Sequence, residues 1–247
     1  MQNIRRIVCG TFFRSGVELA LYPARCLTVL PEGASFERTL LPFLASVAIA
    51  DGALRRGGME SGQVVAINGA TGQLGGAATL LALTGGAARV IAIGRNVRRL
   101  EALASIDPRV AIHILTGNRE NDAASVRSLA AGPIDLVVDY FANTPTPDPT
   151  LAGFDALRPG GTIVLVGGVR HALPLPYAHI MLRRLTIRGS FMFDRIGALH
   201  SWNLVRSGAV DLSQVKAFSF PIQDIQRAMD LAATLGGLDY ALLLPNG

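Results

Sequence analysis

The stretch Val64-Val65-Ala66-Ile67-Asn68-Gly69-Ala70-Thr71-Gly72-Gln73-Leu74-Gly75 decides how this 247-residue chain is read. Its first four residues are an unbroken apolar run of strand-forming type, as in a strand buried on both faces. Residues 75–84 continue as an apolar helix, which Gly85 and Gly86 end. A glycine turn between a strand and a helix opens a βαβ unit. At such a turn Gly72 lets the backbone approach an anion where a Cβ would clash, and Gly75 lets the helix pack closely on the strand. The amides of the first helical turn and the positive end of the helix dipole then cradle a pyrophosphate. A glycine spacing is weak by itself, but A-x-G-x-x-G in this context points to dinucleotide binding. Ala70, Thr71, Gly72, Gln73, Leu74 and Gly75 are the expected contacts.

The pattern repeats outward. Strands are predicted at 90–93, 110–115, 134–138, 162–166 and 185–190, with helices at 97–104, 123–130 and 151–157. Near-continuous apolar strands separated by helices predict an α/β fold, a doubly wound parallel sheet covered on both faces. Thr144-Pro145-Thr146-Pro147-Asp148-Pro149 reads as a surface loop. The flanks read differently. Short strands are expected at 17–21 and 26–30 with a turn at 31–33, and a helix at 36–56 is interrupted near Pro42. Helices are expected at 196–206 and 222–233, and a terminal strand at 240–244.

The end of the second predicted strand bears on the nucleotide. Binders of NAD usually carry Asp or Glu there, accepting from the ribose 2′-hydroxyl. Here the position is Gly94, followed by Arg95 and Asn96, with Arg98 and Arg99 one turn on. A guanidinium can clamp a 2′-phosphate that a carboxylate would repel, so NADP(H) is the expected cofactor. The alternative is that Arg95 and Arg98 are simply solvated at a helix start, although cations there oppose the dipole.

Composition narrows the rest. Half the residues are hydrophobic and 17% are charged, which supports a large core. The formal charge is +5, almost all of it arginine, since Lys216 is the only lysine. The arginines are dispersed, so nucleic-acid binding is not expected. Cys9 and Cys26 form no CxxC pair, and His113, His171, His179 and His200 show no metal-ligand spacing, so no metal site is expected. Residues 61–88 carry no charge, but Asn68, Thr71, Gln73 and several glycines make them strand, turn and buried helix rather than a membrane span. The expected setting is soluble and cytoplasmic.

Several segments together resemble the medium-chain dehydrogenase/reductase superfamily, especially its zinc-free quinone oxidoreductase and enoyl reductase branches. The match runs from Leu21-Tyr22-Pro23-Ala24-Arg25-Cys26-Leu27-Thr28-Val29-Leu30-Pro31-Glu32-Gly33 through the glycine turn. It continues through Ile134-Asp135-Leu136-Val137-Val138-Asp139 and Leu157-Arg158-Pro159-Gly160-Gly161-Thr162-Ile163-Val164-Leu165-Val166-Gly167, and ends in the helix and strand at 222–244. The resemblance implies a cofactor domain at 36–220. It makes residues 1–35 a remnant of a GroES-like catalytic domain and 221–247 a helix and strand returning to that domain. Where zinc-bearing members supply a ligand ahead of the cofactor domain, this chain has Leu44-Ala45-Ser46, which does not suit zinc. By the same resemblance Phe141, Ala142, Gly167, Gly168 and Val169 line the nicotinamide side, with Phe191 and Phe193 nearby. A homodimer is expected through the sixth strand, at 186–191, because an unpaired apolar edge needs cover.

The expected activity is NADP(H)-dependent hydride transfer to or from a carbonyl, quinone or activated alkene without zinc. The protein supplies orientation and electrostatics to the nicotinamide. His171 and Tyr177 could face the cleft, yet neither is assigned a catalytic role. Two other readings stand beside this one. The first is NADP(H) binding without efficient catalysis, as a truncated product, sensor or structural protein. The second is an atypical short-chain reductase, which the missing Tyr-x-x-x-Lys pair disfavours: Leu212 stands four residues before Lys216.

Overall fold

The computed structural model describes residues 7–9, 24, 27–31, 37–193 and 195–244. The expected strand at 17–21, Cys26 and the turn residues Glu32 and Gly33 lie outside the described residues. Two short strands, β1 (Ile7–Cys9) and β2 (Leu27–Val29), pair antiparallel ahead of the main sheet.

The sheet comprises β3 (Val64–Asn68), β4 (Arg89–Gly94), β5 (Val110–Ile114), β6 (Leu136–Asp139), β7 (Thr162–Leu165) and β8 (Thr186–Gly189). All neighbours are parallel, in the order β5-β4-β3-β6-β7-β8. The chain winds one way from β3 to β5 and then the other way from β6 to β8, which is the doubly wound plan. Strand alternation divides the core between the two faces. Val65 and Ile67 of β3 join one cluster with α1 (Phe43–Gly57), α2 (Gln73–Thr84), α3 (Val97–Ala104) and α7 (Arg195–Arg206). Val64 and Ala66 join the opposite cluster with α4 (Arg119–Leu129) and α5 (Asp148–Ala156).

Several boundaries differ from the sequence expectation for identifiable reasons. The predicted helix at 36–56 begins at Phe43, because Pro42 lacks an amide hydrogen and stands at the helix N-cap instead of inside it. Helix α4 begins at Arg119, four residues before the apolar pattern, because Asn118 accepts from the Asn121 amide at 2.9 Å. Similarly, Asp148 and Pro149 form the polar first turn of α5.

Besides β1, two elements were not foreseen. Helix α6 (Tyr177–Arg183) is seven residues long and buries none of them. Strand β9 (Lys216–Pro221) is largely exposed and exists through parallel pairing with β10 (Asp239–Leu244). Helix α8 (Ile225–Thr234) connects these two strands. Tyr240 of β10 stacks on Phe43 with ring centroids 5.8 Å apart, and its hydroxyl donates to the Thr39 carbonyl, docking the C-terminal segment on α1.

Candidate functional site

The reversal of winding leaves a crevice beyond the carboxyl ends of β3 and β6, where doubly wound sheets bind ligands. A cleft of about 530 Å³ occupies it. One wall is Gly69, Thr71 and Gly72 of the glycine turn, with Gly94 and Arg95 after β4. The loop Leu115–Gly117 after β5 borders the same side. Tyr140, Phe141 and Ala142 after β6 form the other wall, with Thr144, Pro145, Thr146, Asp148 and Pro149.

The glycine turn has the expected form. Gly72 is the extended N-cap of α2, and neither a capping side chain nor an acidic residue neutralises the first turn of that helix. Its amides therefore present an anion site. Gly75 is fixed by packing, since a Cβ there would lie 2.3 Å from the Gly69 carbonyl oxygen. Ala70 is fully buried and Leu74 packs against the core, so these two can serve a ligand through backbone alone.

At the end of β4, the space beside Gly94 is filled by Thr71, whose Cγ2 would lie 2.6 Å from a Cβ. Arg95 is exposed on the cleft rim. Asn96 caps α3 by accepting from the Arg99 amide at 3.2 Å. Arg98 is not in the cleft. It lines a separate hollow of about 440 Å³ with Arg99 and Lys216, because the first turn of α3 rotates it away from Arg95. Arg99, not singled out as a contact, donates to the Thr71 carbonyl at 3.5 Å and also to the Thr234 carbonyl.

The residues expected on the other half divide into three groups. Phe141 and Ala142 line the cleft. Gly167 and Val169 line a neighbouring cavity of about 80 Å³ that shares Phe141 with it, and Gly168 is exposed. Phe191 and Phe193 are not brought there. They border a third hollow of about 420 Å³ with Arg55 and Arg56, because the chain leaves β8 toward α1. His171 lines the small cavity and its Nε2 lies 2.6 Å from the Thr144 carbonyl oxygen, whereas Tyr177 is exposed.

Two buried carboxylates underlie the cleft. Burial opposes ionisation of Asp122, but the Thr116 amide and hydroxyl and His113 hold its carboxyl below the usual range. Those contacts measure 2.9, 2.7 and 3.0 Å. For Asp139 burial wins and pushes the carboxyl up to about 6, against the opposing influence of the Thr150 side chain, the Phe141 amide and the Asn68 side chain. Burial, and then the Asp51 charge, raise the Tyr140 phenol as well.

Sequence reasoning missed Leu115, Thr116, Gly117, Tyr140 and the Pro-rich segment as cleft residues. For the last of these a signal existed, because a loop at the carboxyl end of a strand beside the switch point faces the crevice.

Fold and cleft together define a doubly wound domain of the dinucleotide-binding class. Residues 74–205 match the family model described as zinc-binding dehydrogenase, and the chain belongs to that family, within the medium-chain dehydrogenase/reductase superfamily. It is 27% identical to the sorbitol dehydrogenase of Macaca fascicularis over 205 residues, 81% of this chain and 54% of that protein. The chain thus spans about half the length of this curated relative. The alcohol dehydrogenase of Thermus sp. ATN1 superposes with a TM-score of 0.76 at 25% identity, covering 89% of this chain and 63% of that one. A cobalt- and zinc-bound alcohol dehydrogenase from Pyrobaculum aerophilum shares the fold, with a TM-score of 0.69 at 21% identity over 92% of this chain and 62% of that one.

The family name raises the question of zinc. Among the described residues no group of three His, Cys, Asp or Glu side chains could hold a metal ion. Leu44, Ala45 and Ser46 at the start of α1 offer no nitrogen or sulfur donor. The described residues therefore do not fit zinc.

Proposed function

We propose that this chain binds NADP(H) in the cleft and supports hydride transfer to or from a carbonyl, quinone or activated alkene, without zinc. The observation that carries the cofactor choice is Arg95 on the rim beside Gly94, where no carboxylate stands and Thr71 fills the space that one would need. In this reading the α2 amides hold the pyrophosphate, and Arg95 pairs with the 2′-phosphate in a charge-assisted contact. The bound nicotinamide would supply the hydride. Phe141, Ala142 and the 167–169 loop would wall its half of the site and exclude water. A cleft of about 530 Å³ lies within the range of small-molecule sites.

The sorbitol and alcohol dehydrogenase names of the relatives favour an alcohol–carbonyl pair within that substrate range. In the same assignment residues 36–220 carry the cofactor, while 1–35 and 221–247 belong to the substrate side.

A second reading is cofactor binding without efficient turnover. It is favoured by the cleft lining, where among the described residues the charged side chains are Arg95 and Asp148 and no histidine is present.

The test is thermal stability of the 247-residue protein with NADPH and, separately, NADH, beside an Arg95→Asp variant. Ligand at about one hundred times its Kd stabilises the fold by about 2.7 kcal/mol. A shift with NADPH alone, lost in the variant, is expected; no shift with either nucleotide would overturn the reading. NADPH consumption with a panel of aldehydes, ketones and quinones then separates the catalytic reading from the binding-only one.

A further inference from the structure

The two halves of the cleft are held by different buried carboxylates. On the β4–β5 side, where Arg95 stands, Asp122 gathers the loop after β5. Its carboxylate accepts from the Thr116 amide at 2.9 Å, the Thr116 hydroxyl at 2.7 Å and the Gly117 amide at 3.3 Å. On the β6–β7 side the corresponding centre is Asp139. Its carboxylate accepts from the Phe141 amide at 2.9 Å, and the neighbouring Thr150 and Asn68 side chains favour its ionised form. Its main-chain carbonyl accepts from both Val166 and Gly167, each at 2.9 Å.

One residue therefore ties down both loops bordering this half. The loops also interlock, because a Cβ on Gly167 would lie 1.9 Å from the Phe141 carbonyl oxygen. Any displacement of Phe141 is thus transmitted to Gly167. Asp139 itself does not line the cleft. It faces the small cavity behind Phe141, which His171 also borders.

We propose that Asp139 is the positioning residue of the nicotinamide half: its carboxylate sets Phe141, and through Phe141 the Gly167 loop, at the separation the nicotinamide riboside requires. The adenosine half is held independently by Asp122. This rests on the NADP(H) reading of the cleft. It predicts that loss of the Asp139 carboxylate weakens recognition of the complete dinucleotide and spares its adenosine portion.

The experiment is calorimetric titration of the full chain with NADPH and with 2′,5′-ADP, which lacks the nicotinamide half. The wild type is compared with Asp139→Leu, Asp139→Asn and Thr150→Val. Asp139→Leu is expected to lose at least tenfold in NADPH affinity while 2′,5′-ADP stays within twofold. Asp139→Asn keeps an oxygen acceptor for the Phe141 amide and is expected to recover most of that loss. Should the leucine variant fail to fold, Thr150→Val carries the test, with a threefold or greater loss for NADPH alone. Equal losses for both ligands, as general loosening would produce, or unchanged affinity for both, would overturn the proposal. A wild type that binds neither ligand overturns the cofactor reading, and with it the proposal. A wild type that binds both, beside variants that bind normally, sinks the Asp139 assignment alone.

Discussion

At Asp139 burial and hydrogen bonding pull in opposite directions, and burial wins, raising the carboxyl from its ordinary 3.8 to about 6. The folded state then holds a proton that the unfolded chain releases near its ordinary value. The stabilisation from this group is complete below about pH 4 and is lost as pH rises through about 6, on the order of 3 kcal/mol for a two-unit shift. Asp139→Asn removes the titration. Its stability relative to wild type is therefore expected to rise by about 2–3 kcal/mol between pH 4 and pH 7.5, read from urea midpoints. A flat difference would show that the carboxyl does not titrate in that window. Gly75 is a simpler case. With the Gly69 oxygen 2.3 Å from any Cβ, Gly75→Ala must push α2 off the turn. A loss of about 1–3 kcal/mol is expected from such overpacking, together with weaker NADPH binding. At this scale the glycine turn and Gly94-Arg95 were legible because their spacing is local. Asp139 was visible as a motif residue but not as a joint between loops, since Val166 and Gly167 reach it from a neighbouring strand.

Among the elements, the C-terminal segment is tied to the glycine turn at one atom. The Thr71 carbonyl accepts from the Gly237 amide at 2.8 Å and from Arg99 at 3.5 Å, and Arg99 also reaches Thr234. Arg99→Ala is expected to cost about 1–2 kcal/mol and to speed limited proteolysis within 234–237, with Arg99→Lys recovering part of both. Unchanged cleavage would show that Arg99 does not hold the segment. Strand β9 and helix α6 bury none of their residues, so neither shows the apolar run that marks a core element. Strands β3 to β8 were legible because both faces of the central ones are buried, and an unbroken apolar run is the mark of that environment.

For the whole molecule, the open question is its edge. Strand β8 pairs with β7 on one side and, among the described residues, with no strand on the other. Ile187 is half-buried on this edge strand, and Met181, Leu182 and Phe191 are exposed on the flanking segments. An apolar edge of this kind is expected to pair with a second copy, giving a dimer through β8. Sedimentation equilibrium should return twice the 26.0 kDa chain mass, and Ile187→Lys should return one. A monomeric wild type would overturn this expectation. Among the described residues no helix is long and apolar enough to cross a membrane.

The sequence by itself determined the parallel layered sheet, the doubly wound class, the glycine turn between β3 and α2 and the absence of a carboxylate after β4. Each of these is encoded in neighbours along the chain, through apolar runs, glycine spacing and caps. Tertiary structure alone decided which residues share the cleft. It turned Arg98 away from Arg95, sent Phe191 and Phe193 to another hollow, and brought the Pro-rich loop into the wall. It also joined Asp139 to two loops at once. The physical reason is that a parallel sheet places the ends of sequence-distant strands side by side, about 5 Å apart, so contacts across the crevice follow strand order rather than sequence.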